Sequence, residues 1–533
     1  MSELAMVGLS FIGLALAALP LVQAGFGLTE SGSSFIVDTN AGLVFTVDSS
    51  SGDLTSIVFN DVETQDSSKH SQIASGIGAS CTWSQGGHDN NYITIPCTAS
   101  GIVHYYVAKY NDPSIHMATY TSSEPSVGEL RFIARLKKSA LPNGVAASDI
   151  AGGTAIEGSD VFTVNGETRS KFYSSRQFID DQVHGVTGSG IGAYMIVPGT
   201  GFEGSSGGPF FRDIDNQGGD QQELYFFSLQ NSNHAQTESY RMGLHGPYAI
   251  TYTTGSAPSG DIDTSFYDDL DIEGYVPESQ RGRVTGKASG FNSDWSSYIS
   301  IGWSNSDAQY WVRTDSSGSY TSPYMKPGTY TMTLYEFELA IASQSVTISA
   351  GNVGSSNIAS TIDRPDVIWQ IGDYDGTPRG FLNADKIETM HPSDSRMGNW
   401  AVSSFTVGND ASGFPMAIFK DVGAAKVTFT LSSSQGGART LEIATTLAFA
   451  GGRPQVTINN WTSDNPAAPS QPDSRGVTRG TWRGNNILYS YSVPDGTLLT
   501  DGSTNTLTIN VISGSSGSQY LSPNFVVDTV RLY

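Results

Sequence analysis

Charge is what this chain has least of. Asp, Glu, Lys and Arg together make up 15% of its 533 residues, against about a quarter in ordinary soluble domains. The little charge present leans one way, with 28 Lys and Arg against 51 Asp and Glu and a formal net charge of −23. That excludes a nucleic-acid binder, because no basic stripe exists to release phosphate counterions. It suits an extracellular protein working in acid. A polyanionic ligand would need a local positive groove on this negative chain. Cysteine is nearly absent. Cys81 and Cys97 are the only pair, and they flank the turn-rich run S-Q-G-G-H-D-N-N, which reads as one bridge closing a hairpin-like loop. Long apolar runs are absent beyond the N-terminus. Residues 1–24 carry an apolar stretch from Phe11 to Leu19 and small residues up to Ala24, a secretory-signal pattern too short to span a bilayer. Its first residues hold Glu3 and no Lys or Arg. There is no zinc spacing, no phosphate loop and no Gly-x-Ser-x-Gly elbow.

Glycine, tyrosine and phenylalanine are plentiful, at 60, 24 and 24 residues. Short strands joined by tight turns have this composition, so the chain reads as all-β. Its length predicts several domains. Residues 25–272 alternate with period two in the manner of large stacked antiparallel sheets. Residues 273–363 carry about seven short strands after a loop at Gly255–Gly260, the pattern of a fibronectin type III-like sandwich. Residues 364–533 read as a jelly roll. Asn460-Trp461-Thr462 is a sequon, predicting a glycan on a surface loop.

One stretch stands out against this background. Thr168 to Gly185 reads T-R-S-K-F-Y-S-S-R-Q-F-I-D-D-Q-V-H-G, and Lys171 is the only lysine between Lys138 and Lys287. A lone lysine is more often a solvated surface group, so the surroundings must decide. Glu223 to Arg241 carries Tyr225 and, in an Asn-rich run, His234. The strand from Gly128 to Leu136 puts Glu129, Arg131 and Arg135 on one face, either solvated or lining a cleft for an anion. Asp180 and Asp181 resemble a glycosidase pair. As neighbours on a strand they would point to opposite faces, so at least one reads as a partner for an arginine.

The run T-A-I-E-G-S-D-V-F through S-K-F-Y-S-S-R-Q-F-I-D-D-Q-V-H-G-V-T-G resembles the fungal rhamnogalacturonan lyases, polysaccharide lyase family 4. So do S-G-G-P-F-F-R-D-I, G-P-Y-A-I, I-G-D-Y-D-G-T-P-R-G-F-L-N-A-D and M-H-P-S-D-S-R-M. The resemblance implies a β-sandwich catalytic domain, a fibronectin type III-like domain and a carbohydrate-binding-like jelly roll. It implies cleavage of rhamnogalacturonan I by β-elimination at galacturonate. It also implies a catalytic lysine and histidine, which fall on Lys171 and His234, and an aromatic substrate contact near Tyr225.

β-Elimination at a uronate needs a base for the proton alpha to the carboxylate, a cation to blunt the carboxylate, and an acid for the leaving oxygen. A lysine base must be neutral, which requires a fall from its free pKa of about 10.4. Neighbouring guanidinium groups and desolvation push that way. Arg131, Arg176, Arg212 and Arg241 are candidates for that effect and for holding the carboxylate. His234 suits the acid. An acidic optimum, with Lys171 protonated, would exchange the roles. Arg475, near Arg479 and Arg483, reads either as a substrate contact across a domain boundary or as part of a charged loop. Catalysis needs no cofactor on this reading. Asp373, Asp375 and Asp528 offer oxygen ligands for a structural Ca²⁺, without a contiguous loop. A glycoside hydrolase on the same pectin and a non-catalytic binding protein are the alternatives. The expected partner is the polysaccharide alone, bound by a secreted monomer.

Overall fold

The computed structural model describes residues 25–533 apart from 74, 124–128, 145–152, 158–160, 231–239, 471–475 and 485. The signal-like segment, His234 and Arg475 therefore lie outside the described residues. No described helix is long and apolar enough to cross a membrane.

Turn chemistry sets the first register. Asn40 (φ 59°) and Gly42 (φ 78°) take the left-handed backbone that short polar and Cβ-free residues tolerate. They join Ser34–Asp38 to Leu43–Asp48 with Phe35 opposite Val47. Period-two alternation then sends Phe35, Val37, Leu43, Phe45 and Val47 to one buried face. Each fully buried side chain of this kind contributes roughly 1.5–3 kcal/mol. This five-stranded sheet shares its core with an eight-stranded sheet and a four-stranded sheet. Cys81 and Cys97 pair across the eight-stranded sheet and are bridged, as their spacing predicted. A separate three-stranded sheet, Thr154–Glu157, Val161–Val164 and Glu167–Ser170, leads into Lys171.

The middle unit packs two four-stranded sheets around Trp303, Tyr330 and Met332. The C-terminal unit packs two five-stranded sheets around Phe414, Ile443, Phe525 and Val530. The architecture is all-β throughout, as its composition implied. A short 3-10 helix, Ser265–Asp269, lies near the end of the first unit, with Phe266 and Tyr267 buried.

The units are tied by buried polar contacts. Glu203 receives Arg281 at 2.6 and 3.1 Å, Lys326 at 3.1 Å and the Tyr310 hydroxyl at 2.7 Å. Burial disfavours its charge, but Lys326 and Arg281 outweigh that and hold Glu203 down to about 2. Glu338 of the middle unit meets Arg483 of the C-terminal unit at 3.1 Å and accepts from Gln177 at 2.6 Å.

The aspartates named for calcium have other partners. Asp528 accepts the Asp375 and Gly376 N–H groups at 3.2 and 3.1 Å. Asp375 accepts from Thr377 at 2.9 and 2.7 Å, and Arg379 reaches both Asp373 and Asp375 at 3.0 Å. Asn460 is exposed at the turn between Arg453–Ile458 and Trp461–Thr462.

Candidate active site

An Asn-Gly turn builds the approach to Lys171. Asn165 (φ 52°) and Gly166 (φ 84°) both adopt positive φ, the backbone a two-residue hairpin requires. The resulting register pairs Val164 with Glu167 and Val161 with Ser170. Lys171 follows at once, opening a short 3-10 turn, Lys171–Ser174. It is half-buried, with Nζ 5.7 Å from the Phe162 ring centroid.

That hairpin is held from the C-terminal domain. Asp394 accepts the Thr168 N–H at 2.7 Å and its hydroxyl at 2.6 Å. Arg396 binds both Asp394 oxygens at 2.8 and 2.7 Å and reaches Glu167 at 2.8 Å. Those bonds keep Asp394 far below the ordinary carboxylate range. Ser170 donates its hydroxyl to the Arg479 carbonyl at 2.8 Å. Sequence reasoning gave Asp394 no role, although it sits within the M-H-P-S-D-S-R-M run quoted above.

The charged strand face is also part of the site. Glu129–Leu136 runs antiparallel to Gln222–Gln230, with Ile133 opposite Tyr225 and Arg135 opposite Glu223. The core face carries Leu130, Phe132, Leu224 and Phe226. On the other face the Arg131 guanidinium lies 5.8 Å from the Tyr225 ring centroid, within cation–π range. Arg135 pairs with Glu223 at 3.5 Å and donates to the His70 carbonyl at 2.7 Å. The Tyr225 hydroxyl donates to Glu223 at 2.6 Å. Burial, then Glu223, push its phenol well above the usual range. The Lys171 turn joins this face through Ser174, whose Oγ accepts the Asn216 N–H at 3.0 Å. Asn216 pairs with Leu224, the neighbour of Tyr225. Arg176 is exposed and donates to the Val183 carbonyl at 3.2 Å. Arg131 and Arg135 thus lie beside Tyr225 and Glu223, and the Lys171 turn reaches the same strands through Ser174.

Two predicted carboxylate ligands belong elsewhere. Arg212 is buried against Trp482, with its guanidinium 5.1 Å from the ring centroid, and binds Glu388 and the Gly480 carbonyl. Arg241 is only 1% exposed and donates to Ser205 at 2.6 Å and Asn305 at 3.0 Å. Both are buried at contacts between domains, with donors engaged by those partners. Asp180 pairs with Arg313 at 2.7 and 2.9 Å, the arginine partnership expected of one member of that pair. It sits in a turn, not on a strand. Asp181 and His184 are instead buried together at 3.0 Å.

Comparison with known proteins follows the three structural units. Residues 26–274 match the family profile "Rhamnogalacturonan lyase B, N-terminal". Residues 280–355 and 367–532 match "Polysaccharide lyase family 4, domain II" and "domain III". The chain is 53% identical over 524 residues to "Rhamnogalacturonate lyase A" of Aspergillus aculeatus, covering 96% of this chain and 97% of that one. It is 52% identical over 524 residues to the protein of the same name from Emericella nidulans, with the same coverage. Against "Probable rhamnogalacturonate lyase A" of Aspergillus niger it is 52% identical over 527 residues, covering 97% of each.

Proposed function

The chain belongs to polysaccharide lyase family 4 and is a pectin-degrading rhamnogalacturonan lyase, and from that premise we propose that Lys171 and His234 divide the β-elimination between them. Lys171 removes the proton alpha to the galacturonate carboxylate. The electron pair moves to form the C4–C5 double bond as the C4–O bond breaks, and His234 protonates the departing oxygen. The carboxylate is held against Arg131 and Arg176, whose positive charge stabilises the developing dianion. Tyr225, the predicted aromatic contact, is buried with Ile133 and Ile214 and backs the Arg131 guanidinium rather than offering a free ring face. The observation that supports this reading is that Arg131 and Arg135 lie on the strand face of Tyr225, which the Lys171 turn reaches through Ser174 and Asn216, in a protein of net charge −23. A polyanion is attracted to such a focus and repelled elsewhere.

The enzyme acts as a secreted monomer, its leader being residues 1–24, with a glycan on Asn460. Arginine performs the charge neutralisation, so the reaction needs no metal. Chelator treatment should leave turnover intact, and any calcium at Asp373, Asp375 and Asp528 would affect stability alone. The deciding experiment is an ultraviolet absorbance time course on rhamnogalacturonan I, with homogalacturonan as control. A rise on the first substrate alone is expected. A flat trace with rising reducing ends would mean hydrolysis and overturn the proposal.

A further inference from the structure

A cleft opens where the three domains meet, and its floor is a sheet face of the middle domain. Ile299–Ser304 lies between Gln309–Arg313 and Gly328–Glu336. Ile299, Ile301 and Trp303 belong to the domain core, so alternation turns Ser300, Gly302 and Ser304 to the other face. Gly302 stands opposite Trp311 on one neighbour and Thr333 on the other. A Cβ at Gly302 would come within 3.0 Å of the Tyr335 ring. Glycine there lets that ring lie down on the sheet, with Phe210 perpendicular to it at 5.1 Å between centroids. Gly207–Pro209 of the first domain forms one wall, and Arg483 and Gly484 of the C-terminal domain form the other. The enclosed space is about 280 Å³, just under the usual small-ligand range of about 300–1,000 Å³. It has room for a sugar ring, not for a length of polymer. We propose that this cleft is a second sugar-binding site, which takes an acidic pyranose, a galacturonate residue of the polymer, away from the point of elimination.

The lining has the make-up of a ligand site, an apolar surface with a few convergent polar groups. Trp311 and Tyr335 are half-buried aromatics. Ser304, Thr333 and Asn486 line the same space, and their hydroxyl and amide groups have no partner among the described residues. Charge decides the class of sugar. Glu338 and Arg483 are the only charged residues among the described ones lining the cleft. Glu338 is the deeper of the two, its side chain 5% exposed against 20% for Arg483, and it is shared with Gln177 at 2.6 Å. Burial raises its carboxyl to about 7, so in acid it does not cancel the guanidinium. Arg483 commits Nε to Glu338 at 3.1 Å and Nη1 to the Gly207 carbonyl at 3.2 Å. Its Nη2 has no partner among the described residues. A guanidinium beside an aromatic floor, in a protein of net charge −23, suits a carboxylate on a sugar ring.

None of the groups assigned to the elimination lines this cleft, neither Lys171 nor Arg131, Arg176 or Tyr225. A second hold on the polymer raises its local concentration at Lys171 without adding a contact there. The choice of galacturonate rests on the substrate of the lyase; the cleft itself does not depend on the role given to Lys171.

The test uses the full chain with ¹⁵N-labelled tryptophan and follows the Trp311 indole N–H as digalacturonate is added, with Trp311→Phe to assign the signal. The signal should shift and saturate as a single site fills. Digalactose, the same sugar without the carboxylate, should need about tenfold more or beyond, since a charge-assisted bond is lost. Arg483→Gln should remove the response. Because Arg483 also braces the domain contact, a second variant decides if that one does not fold. Thr333→Val combined with Asn486→Ala touches no described side-chain bond and should raise Kd about tenfold for the loss of two hydrogen bonds. A Trp311 signal that digalacturonate does not move, an equal response to digalactose, or wild-type affinity in the double variant would each overturn the proposal. The response should survive Arg131→Ala; its loss there would put the sugar on the Tyr225 strand face and overturn the proposal as well. An active Lys171→Ala variant with the Trp311 response unchanged would fault the proposed base and leave this site standing.

Discussion

Asp394 of the C-terminal domain accepts both the backbone N–H and the hydroxyl of Thr168, at 2.7 and 2.6 Å, and Thr168 lies three residues before Lys171. The hairpin that presents the lysine is thus clamped by another domain. Asp394→Ala would leave Thr168 and Arg396 without their shared acceptor, a loss of about 2–3 kcal/mol for charge-assisted bonds. Its turnover should fall while the N-terminal core stays folded. Unchanged kcat in a folded Asp394→Ala variant would show that Lys171 is placed without help from that domain.

Lys171→Ala removes the proposed base from a half-buried position beside Phe162. Stability should be little changed, because no core side chain is lost. Turnover should fall by about 10²–10⁴-fold, the usual worth of a positioned acid or base. Ultraviolet absorbance on rhamnogalacturonan I and thermal unfolding measure the two separately. Near-wild-type turnover in the folded variant would move the base elsewhere.

Arg131 and Arg241 make a matched pair of substitutions with opposite expected phenotypes. Arg131→Ala should spare stability and lower kcat/KM by about 10²–10³-fold, the cost of losing one electrostatic stabiliser. Arg241→Ala strips the donors from the Ser205 and Asn305 carbonyls in the buried contact with the middle domain. It should lower the melting temperature first, with activity per folded molecule retained. Reversed phenotypes would exchange their roles.

This contrast also shows how far the sequence could be read. Period-two alternation and turn residues specify strands locally, so the all-β units and the strand face bearing Arg131 and Arg135 were legible, whereas its pairing with the Glu223 and Tyr225 strand was not. Lys171 was visible because lysine is scarce around it. Burial against another domain leaves no local signature. Arg212 and Arg241 therefore looked like free cations in a charge-poor run, although Glu388, Gly480, Ser205 and Asn305 hold them. Asp394 was missed for the same reason. Its partner Thr168 is more than two hundred residues away, and nothing in its own neighbourhood points there.

Glu338 gives the interface a pH dependence whose sign is fixed. Desolvation raises its carboxyl to about 7, outweighing the Arg483 and Arg212 charges. Below the ordinary value of 4.5, folded and unfolded chains both hold the proton and no penalty exists. Between 4.5 and about 7 the unfolded chain ionises while the folded one does not, so this group's stabilising contribution falls as pH rises. Above about 7 the loss is complete, at roughly 3 kcal/mol for a shift of this size. Glu203 has the opposite sign. Its contribution is present above 4.5 and is lost only as pH falls toward about 2, so it does not mask the effect in the neutral range. Glu338→Gln keeps the contact with Gln177 by turning its amide and removes the ionisation. Its melting temperature should lie closer to wild type at pH 4 and gain by several degrees relative to it at pH 8. A wild-type-minus-variant difference that is flat across that range would mean that Arg483 keeps Glu338 ionised throughout, and that the two C-terminal domains meet through a permanent ion pair.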